Sequence, residues 1–188
     1  PNVPRAVAVT GDNTRAYVTL RGIRADGEGT GIAVVDAMTL QQIDAVRDVD
    51  TQPWTEGIQY IELNAVGTRP FWLAVDDVQK LLYVGDEGYY NTPTGEMPTG
   101  GRLYVVDIDP SSETYHQHIG TLTTLDGGVE RAKEGFRGMV MASGGQLLLT
   151  APDNKWQPGD PDRRTVVKPG KVLVVDVRNM REQLLTRT

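Results

Sequence analysis

With 188 residues, 39% hydrophobic and 23% charged, the chain is long enough to bury a core without disulfides and too ordinary in composition to be disordered. Its formal net charge of −6 and pI near 4.9, with Lys and Arg scattered rather than gathered into a stripe, exclude a phosphate-backbone footprint, so nucleic acid is not an expected partner. Cys is absent, which removes thiolate chemistry and Cys-ligated zinc, and no apolar run reaches the roughly 18 residues that a membrane span needs.

The first expected strands, 5–10 and 15–20, flank the turn Gly11-Asp12-Asn13-Thr14. The segment from Ala8 to Thr19 lies without a gap over Ala74 to Gly85, 66 residues further on, and a third copy runs from Val140 through Ser143-Gly144-Gly145 to Thr150. Downstream of each copy stands a second signature: Val34-Val35-Asp36, Val105-Val106-Asp107 and Val174-Val175-Asp176. The chain thus reads as three units of four short strands. First strands are expected at 5–10, 71–76 and 137–142, and second strands at 15–20, 80–85 and 146–151. Third strands fall at 31–36, 102–108 and 171–177, and weaker fourth strands at 41–46, 115–122 and 181–186. Segments such as Leu103-Tyr104-Val105-Val106 are apolar on both sides of the pleat, so both faces must be covered. Short hairpins imply antiparallel pairing, and neighbouring sheets stacked face to face around an axis cover such strands most simply. The expected fold is all-β, a β-propeller of three four-stranded antiparallel blades.

A Pro ahead of an apolar strand, a Gly/Asp/Asn turn, Tyr-Val and then Val-Val-Asp resembles the YVTN family of β-propeller repeats. Tyr17-Val18-Thr19-Leu20 is close to the tetrapeptide that names the family, and Pro4 and Pro70 hold the position ahead of the first strand. The resemblance implies a WD40-like propeller. Relatives include surface-layer proteins, lactonase-like enzymes and propellers of redox enzymes, so it is specific for fold and poor for function. The units here run about 70 residues where a propeller repeat is nearer 40 to 45, and the third copy lacks the Tyr.

The expected blades span about 4–50, 69–125 and 136–188 of one propeller segment. Because propellers close with about four to eight blades, three leave two open faces, to be covered by further blades of the same chain or by a second copy closing a larger ring. The chain begins at Pro1, which reads as a processed or excised piece with any targeting signal upstream.

Successive connections in an antiparallel blade alternate between its two rims, so those after strands two and four share one rim. They are long, at 21–30, 48–69, 86–101, 126–136 and 152–170, whereas Thr10–Thr14, Ala37–Thr39 and Ser143–Gly145 on the other rim are tight. Long loops on a rigid scaffold are where binding usually lies. The expected rim residues are Trp54, Tyr60, Asp86, Glu87, Tyr89, Tyr90 and Trp156, aromatics beside carboxylates that suit a protein or carbohydrate partner. Pinning of the loops onto one another is the bland alternative.

Asp153, Asp160 and Asp162 share a Pro/Gly-rich loop and could together hold calcium, but their spacing matches no EF-hand, which favours solvated turn residues; no other cofactor is expected. Asp36, Asp107 and Asp176 read as carboxylates capping their own hairpins. His116 and His118, two apart on an expected strand, face one way as a metal pair would, but stand without a third ligand in sequence and read as surface histidines. Gly-x-Ser-x-Gly, His-Glu-x-x-His and P-loop motifs are missing, so no catalytic residue is assigned. The sequence favours a non-catalytic binding or scaffold propeller of an exported protein, placed extracellularly, at the cell surface or in the periplasm. A lactonase-like hydrolase or lyase working on the same rim, and a structural module of a surface array, are the alternatives.

Overall fold

The computed structural model describes residues 3–21, 31–43, 45, 60–63, 70–86, 89–91, 96–99, 102–122, 138–151, 155–156, 166–168 and 171–185. Strands β1 (Val3–Val9), β2 (Arg15–Arg21), β3 (Gly31–Asp36) and β4 (Gln41–Ile43) form one sheet in that order. The second sheet runs β5 (Pro70–Asp76), β6 (Leu81–Asp86), β9 (Leu103–Asp107) and β10 (His118–Leu122). Between β6 and β9 the chain detours through a two-stranded ribbon of β7 (Tyr89–Asn91) and β8 (Glu96–Thr99). The third sheet is β11 (Gly138–Ala142), β12 (Gln146–Ala151) and β15 (Lys171–Asp176), with a second ribbon of β13 (Lys155–Trp156) and β14 (Val166–Lys168) at the equivalent place. Every pairing is antiparallel. These sheets are the blades of a partial β-propeller.

The register shows why the strands are apolar on both sides. In β6 and β9, Leu82 lies opposite Val106 and Val84 opposite Tyr104, whereas Tyr83 lies opposite Val105. The first set packs with Tyr17, Ile32 and Val34 of the first blade, and the second with Leu147, Leu149 and Leu173 of the third. The middle blade is thus buried on both faces. Transferring each such side chain from water contributes on the order of 1.5 to 3 kcal/mol.

The turns follow from their residues. Ser143-Gly144-Gly145 closes β11 onto β12 with φ of 81° at Gly144 and 72° at Gly145, left-handed values that glycine adopts without steric cost. The predicted hairpin caps are present. Asp36 Oδ1 accepts the N–H groups of Met38 and Thr39, Asp107 Oδ1 that of Asp109, and Asp176 Oδ1 that of Arg178. Asp76, at the end of a first strand, does the same for Val78 and Gln79.

One element differs from expectation. Where a fourth strand was expected over 181–186, the chain forms helix α1, Met180–Leu185. Asn179 followed by Glu182 is a helix-start pattern, and Met180 and Leu184 stand four apart, the spacing of one helical face. Both join the apolar layer between the second and third blades. A Cβ on Gly120 of β10 would lie 2.6 Å from Leu184 Cδ2, so a glycine there lets the helix approach the strand. The helix secures the third blade to the second instead of extending its own sheet. The strand expected over 115–122 also begins later, because residues 109–117 wind through successive turns that end at His116 with φ 61°.

Candidate partner-binding rim

The strand bounds reproduce the asymmetry between the two rims. Connections after second strands run through 22–30, 87–102 and 152–170, and those after fourth strands through 44–69 and 123–137; those after first strands take only 10–14, 77–80 and 143–145. The connection 108–117 on the short-loop rim is the longest there.

Of the residues expected on the long-loop rim, Trp54 and Glu87 lie outside the described residues, as do the candidate calcium ligands Asp153, Asp160 and Asp162. Tyr89 and Tyr90 are on β7, with Tyr89 in register with Thr99, and Trp156 is on β13, in register with Val166. The sequence had suggested plain loops, but in two blades the connection between second and third strands folds into its own ribbon carrying these aromatics. Tyr60 precedes Ile61, whose backbone pairs antiparallel with Ile32 of β3, N–H to carbonyl in both directions at 2.9 and 3.0 Å. Asp86 ends β6 and is buried; its Oδ2 accepts the Tyr104 hydroxyl at 3.3 Å and its N–H donates to the Arg102 carbonyl. Burial, with the Asp86 charge adding to it, pushes the Tyr104 phenol up to about 12, so it stays a neutral donor beneath this end of the blade.

The two histidines are not surface groups. His116 is buried between the first two blades, stacked on Tyr115 at 3.7 Å and edge-on to Tyr17. Its Nδ1 donates to the Ala45 carbonyl at 2.9 Å, which leaves Nε2 to accept the Tyr17 hydroxyl at 3.2 Å. His118 is half-buried, edge-on to Tyr104, with Nε2 2.8 Å from both the Gly120 carbonyl and Thr121 Oγ1; burial pushes its imidazole down. The separation follows from the turn: His116 belongs to it and His118 to β10. Among the described residues no three of His, Asp and Glu gather as a metal site, and no helix is long and apolar enough to cross a membrane.

The short-loop rim carries polar links between blades that sequence reasoning missed. The Gly11 N–H donates to Asp77 Oδ1 at 2.8 Å, and Gln79 Nε2 donates to Asp76 Oδ2 and to the Val177 carbonyl. Arg181 holds Asp107 through two nitrogens, at 2.7 and 3.0 Å, while its backbone N–H donates to Gln79 Oε1. The helical spacing of Met180 and Leu184 was the signal that could have brought Arg181 into view.

No protein-family model matches the chain, and no curated protein matches it in sequence. Among solved structures it is similar to the RRP9 WD40 repeats at 14% identity and a TM-score of 0.46, over 92% of this chain and 38% of that one. It is similar to U3-55K at the same identity and TM-score, over 92% and 39%. A third similar structure is a PQQ-bound aldose sugar dehydrogenase from Streptomyces coelicolor, at 14% identity and a TM-score of 0.34, over 92% and 61%. The chain spans less than two thirds of each of these. The fold itself, three antiparallel blades with the middle one buried on both faces, is that of a β-propeller segment.

Proposed function

We propose that this segment is a non-catalytic binding or scaffold propeller of an exported or surface protein, built from YVTN-type repeats, which takes a protein or carbohydrate partner on its long-loop rim. The reading rests on one observation. All the connections longer than ten residues leave the same ends of the blades, and two of them fold into ribbons that bear Tyr89, Tyr90 and Trp156. A rigid antiparallel platform with elaborated connections on one side is the arrangement by which folds present variable contact residues. Aromatic rings supply large contact area at low conformational cost. Asp86 and Tyr104, paired across β6 and β9, serve to hold that end of the blade.

The test is a screen of the 188-residue chain against an oligosaccharide array and a peptide library, run beside the variant Tyr89→Ala/Tyr90→Ala/Trp156→Ala. A ligand that binds the parent and loses at least about tenfold in the variant supports the reading, since aromatic anchors carry much of such an affinity. Ligands held equally by both would place recognition elsewhere. Turnover of a lactone by the parent chain would replace binding with catalysis.

A further inference from the structure

The first and third blades each present a bare face, and the internal repeat identifies what each is built to meet. Val7 and Val9 of β1 stand on the side of the first blade away from the second, 63% and 47% exposed. Val7 aligns with Leu73 of the middle blade, which faces the first blade and is 8% exposed. On the other flank Val172 and Val174 of β15 are 64% and 60% exposed, yet their repeat equivalents Leu103 and Val105 face the third blade and are fully buried. Val140 of β11 is on the same free face, since it lies opposite Leu148, which lies opposite Val174. The same repeat positions are therefore covered where a neighbour exists and bare where it does not.

The two bare faces are not alike. The free face of the first blade is the kind that meets a preceding blade, and that of the third is the kind that meets a following blade. One chain thus carries both halves of an interface that it already makes twice internally, and the halves point in opposite senses. We propose that two copies of this chain associate head to tail, the free face of each third blade seating on the free face of the other's first blade, to close a ring of six blades. Two such contacts related by a two-fold axis leave no face open, and six lies within the range in which propellers close. The partner is a second copy because this chain carries both surfaces that the contact requires.

The experiment is sedimentation equilibrium of the 188-residue chain from about 1 to 200 µM, with paired variants. The parent should reach twice its mass of 20.6 kDa and no more. Val7→Asp/Val9→Asp and Val172→Asp/Val174→Asp alter side chains that are exposed in the single copy, so both should remain folded by circular dichroism. Each should fall to a single copy when alone. Mixed in equal amounts, they should recover a two-copy species, because a head-to-tail contact survives between the intact third blade of one and the intact first blade of the other. A parent that stays single throughout the range overturns the proposal, as does one that grows into open chains. A two-copy species formed by either variant alone, as a like-to-like contact would allow, also overturns it.

Discussion

Arg181, in helix α1, places its guanidinium across both carboxylate oxygens of Asp107, at the end of the third strand of the neighbouring blade, and Asp107 is fully buried. A forked pair of this geometry fixes orientation as well as distance. Here it orients the third blade against the second. Arg181→Ala would leave a buried carboxylate without its cation, and should lower stability by about 3 kcal/mol. The expectation sits at the low end of the range for such losses because a fifth of the Arg181 side chain is open to water. Asp107→Asn in the same background should restore part of that loss, and urea titrations of the two single variants and the double variant measure the coupling.

The same carboxylate gives the protein an acid limit. Burial works to raise the Asp107 carboxyl, but Arg181, then the hydroxyls of Ser112 and Thr114 and the Asp109 amide, outweigh it and hold the group below the usual carboxylate range. A pKa depressed by folding adds stability that is fully present above the unfolded value of about 3.9, and it is lost as pH falls through the lower folded value. Asp36 and Asp109 are shifted in the same direction. The urea midpoint should therefore fall from about pH 5 downward, and Asp107→Asn should flatten that fall while lowering the plateau near neutrality.

Two equivalent tyrosines should respond oppositely to loss of their hydroxyls. Tyr17 donates to His116, whereas the Tyr83 hydroxyl is buried with no partner among the described residues. Tyr17→Phe removes the buried hydroxyl–imidazole hydrogen bond and should cost about 1 kcal/mol. Tyr83→Phe removes a buried donor that has no partner, and should be neutral or stabilise by up to about 1 kcal/mol. Thermal unfolding of the two variants side by side decides it; equal losses would refute the distinction.

Gly120 marks the seat of the helix. Gly120→Val should lower stability by about 1 to 3 kcal/mol through contact with Leu184, and Leu184→Ala, costly alone, should relieve the clash in the double variant. A double variant as unstable as the sum of the two would argue against direct contact.

How much of this was legible in the sequence follows from range. The first, second and third strands could be placed because Ala8 to Thr19 repeats at Ala74 to Gly85, and because Val-Val-Asp recurs three times. The carboxylate caps were legible because Asp36 and Asp176 reach only two or three residues onward. The helix at 180–185 was misread because Met180 and Leu184 supply a single helical repeat within six residues, and because the glycine that makes room for Leu184, Gly120, is remote in sequence. His116 escaped for the same reason: its partners Tyr17 and Ala45 are 99 and 71 residues away. Of the rim, the loop lengths were readable, and the ribbons carrying Tyr89, Tyr90 and Trp156 were not, since two or three residues of strand leave no alternation to detect.

The middle blade, buried on both sides, also sets the order in which the molecule comes apart. Within a single copy of these residues each outer blade rests on one neighbour, so in that state opening can start at either flank while the centre holds. Stability in stacked repeats is close to a sum of nearest-neighbour terms. Backbone amides of β6 and β9 should then be the last to exchange with deuterium, and those of β1 and β11 should exchange through smaller, local openings.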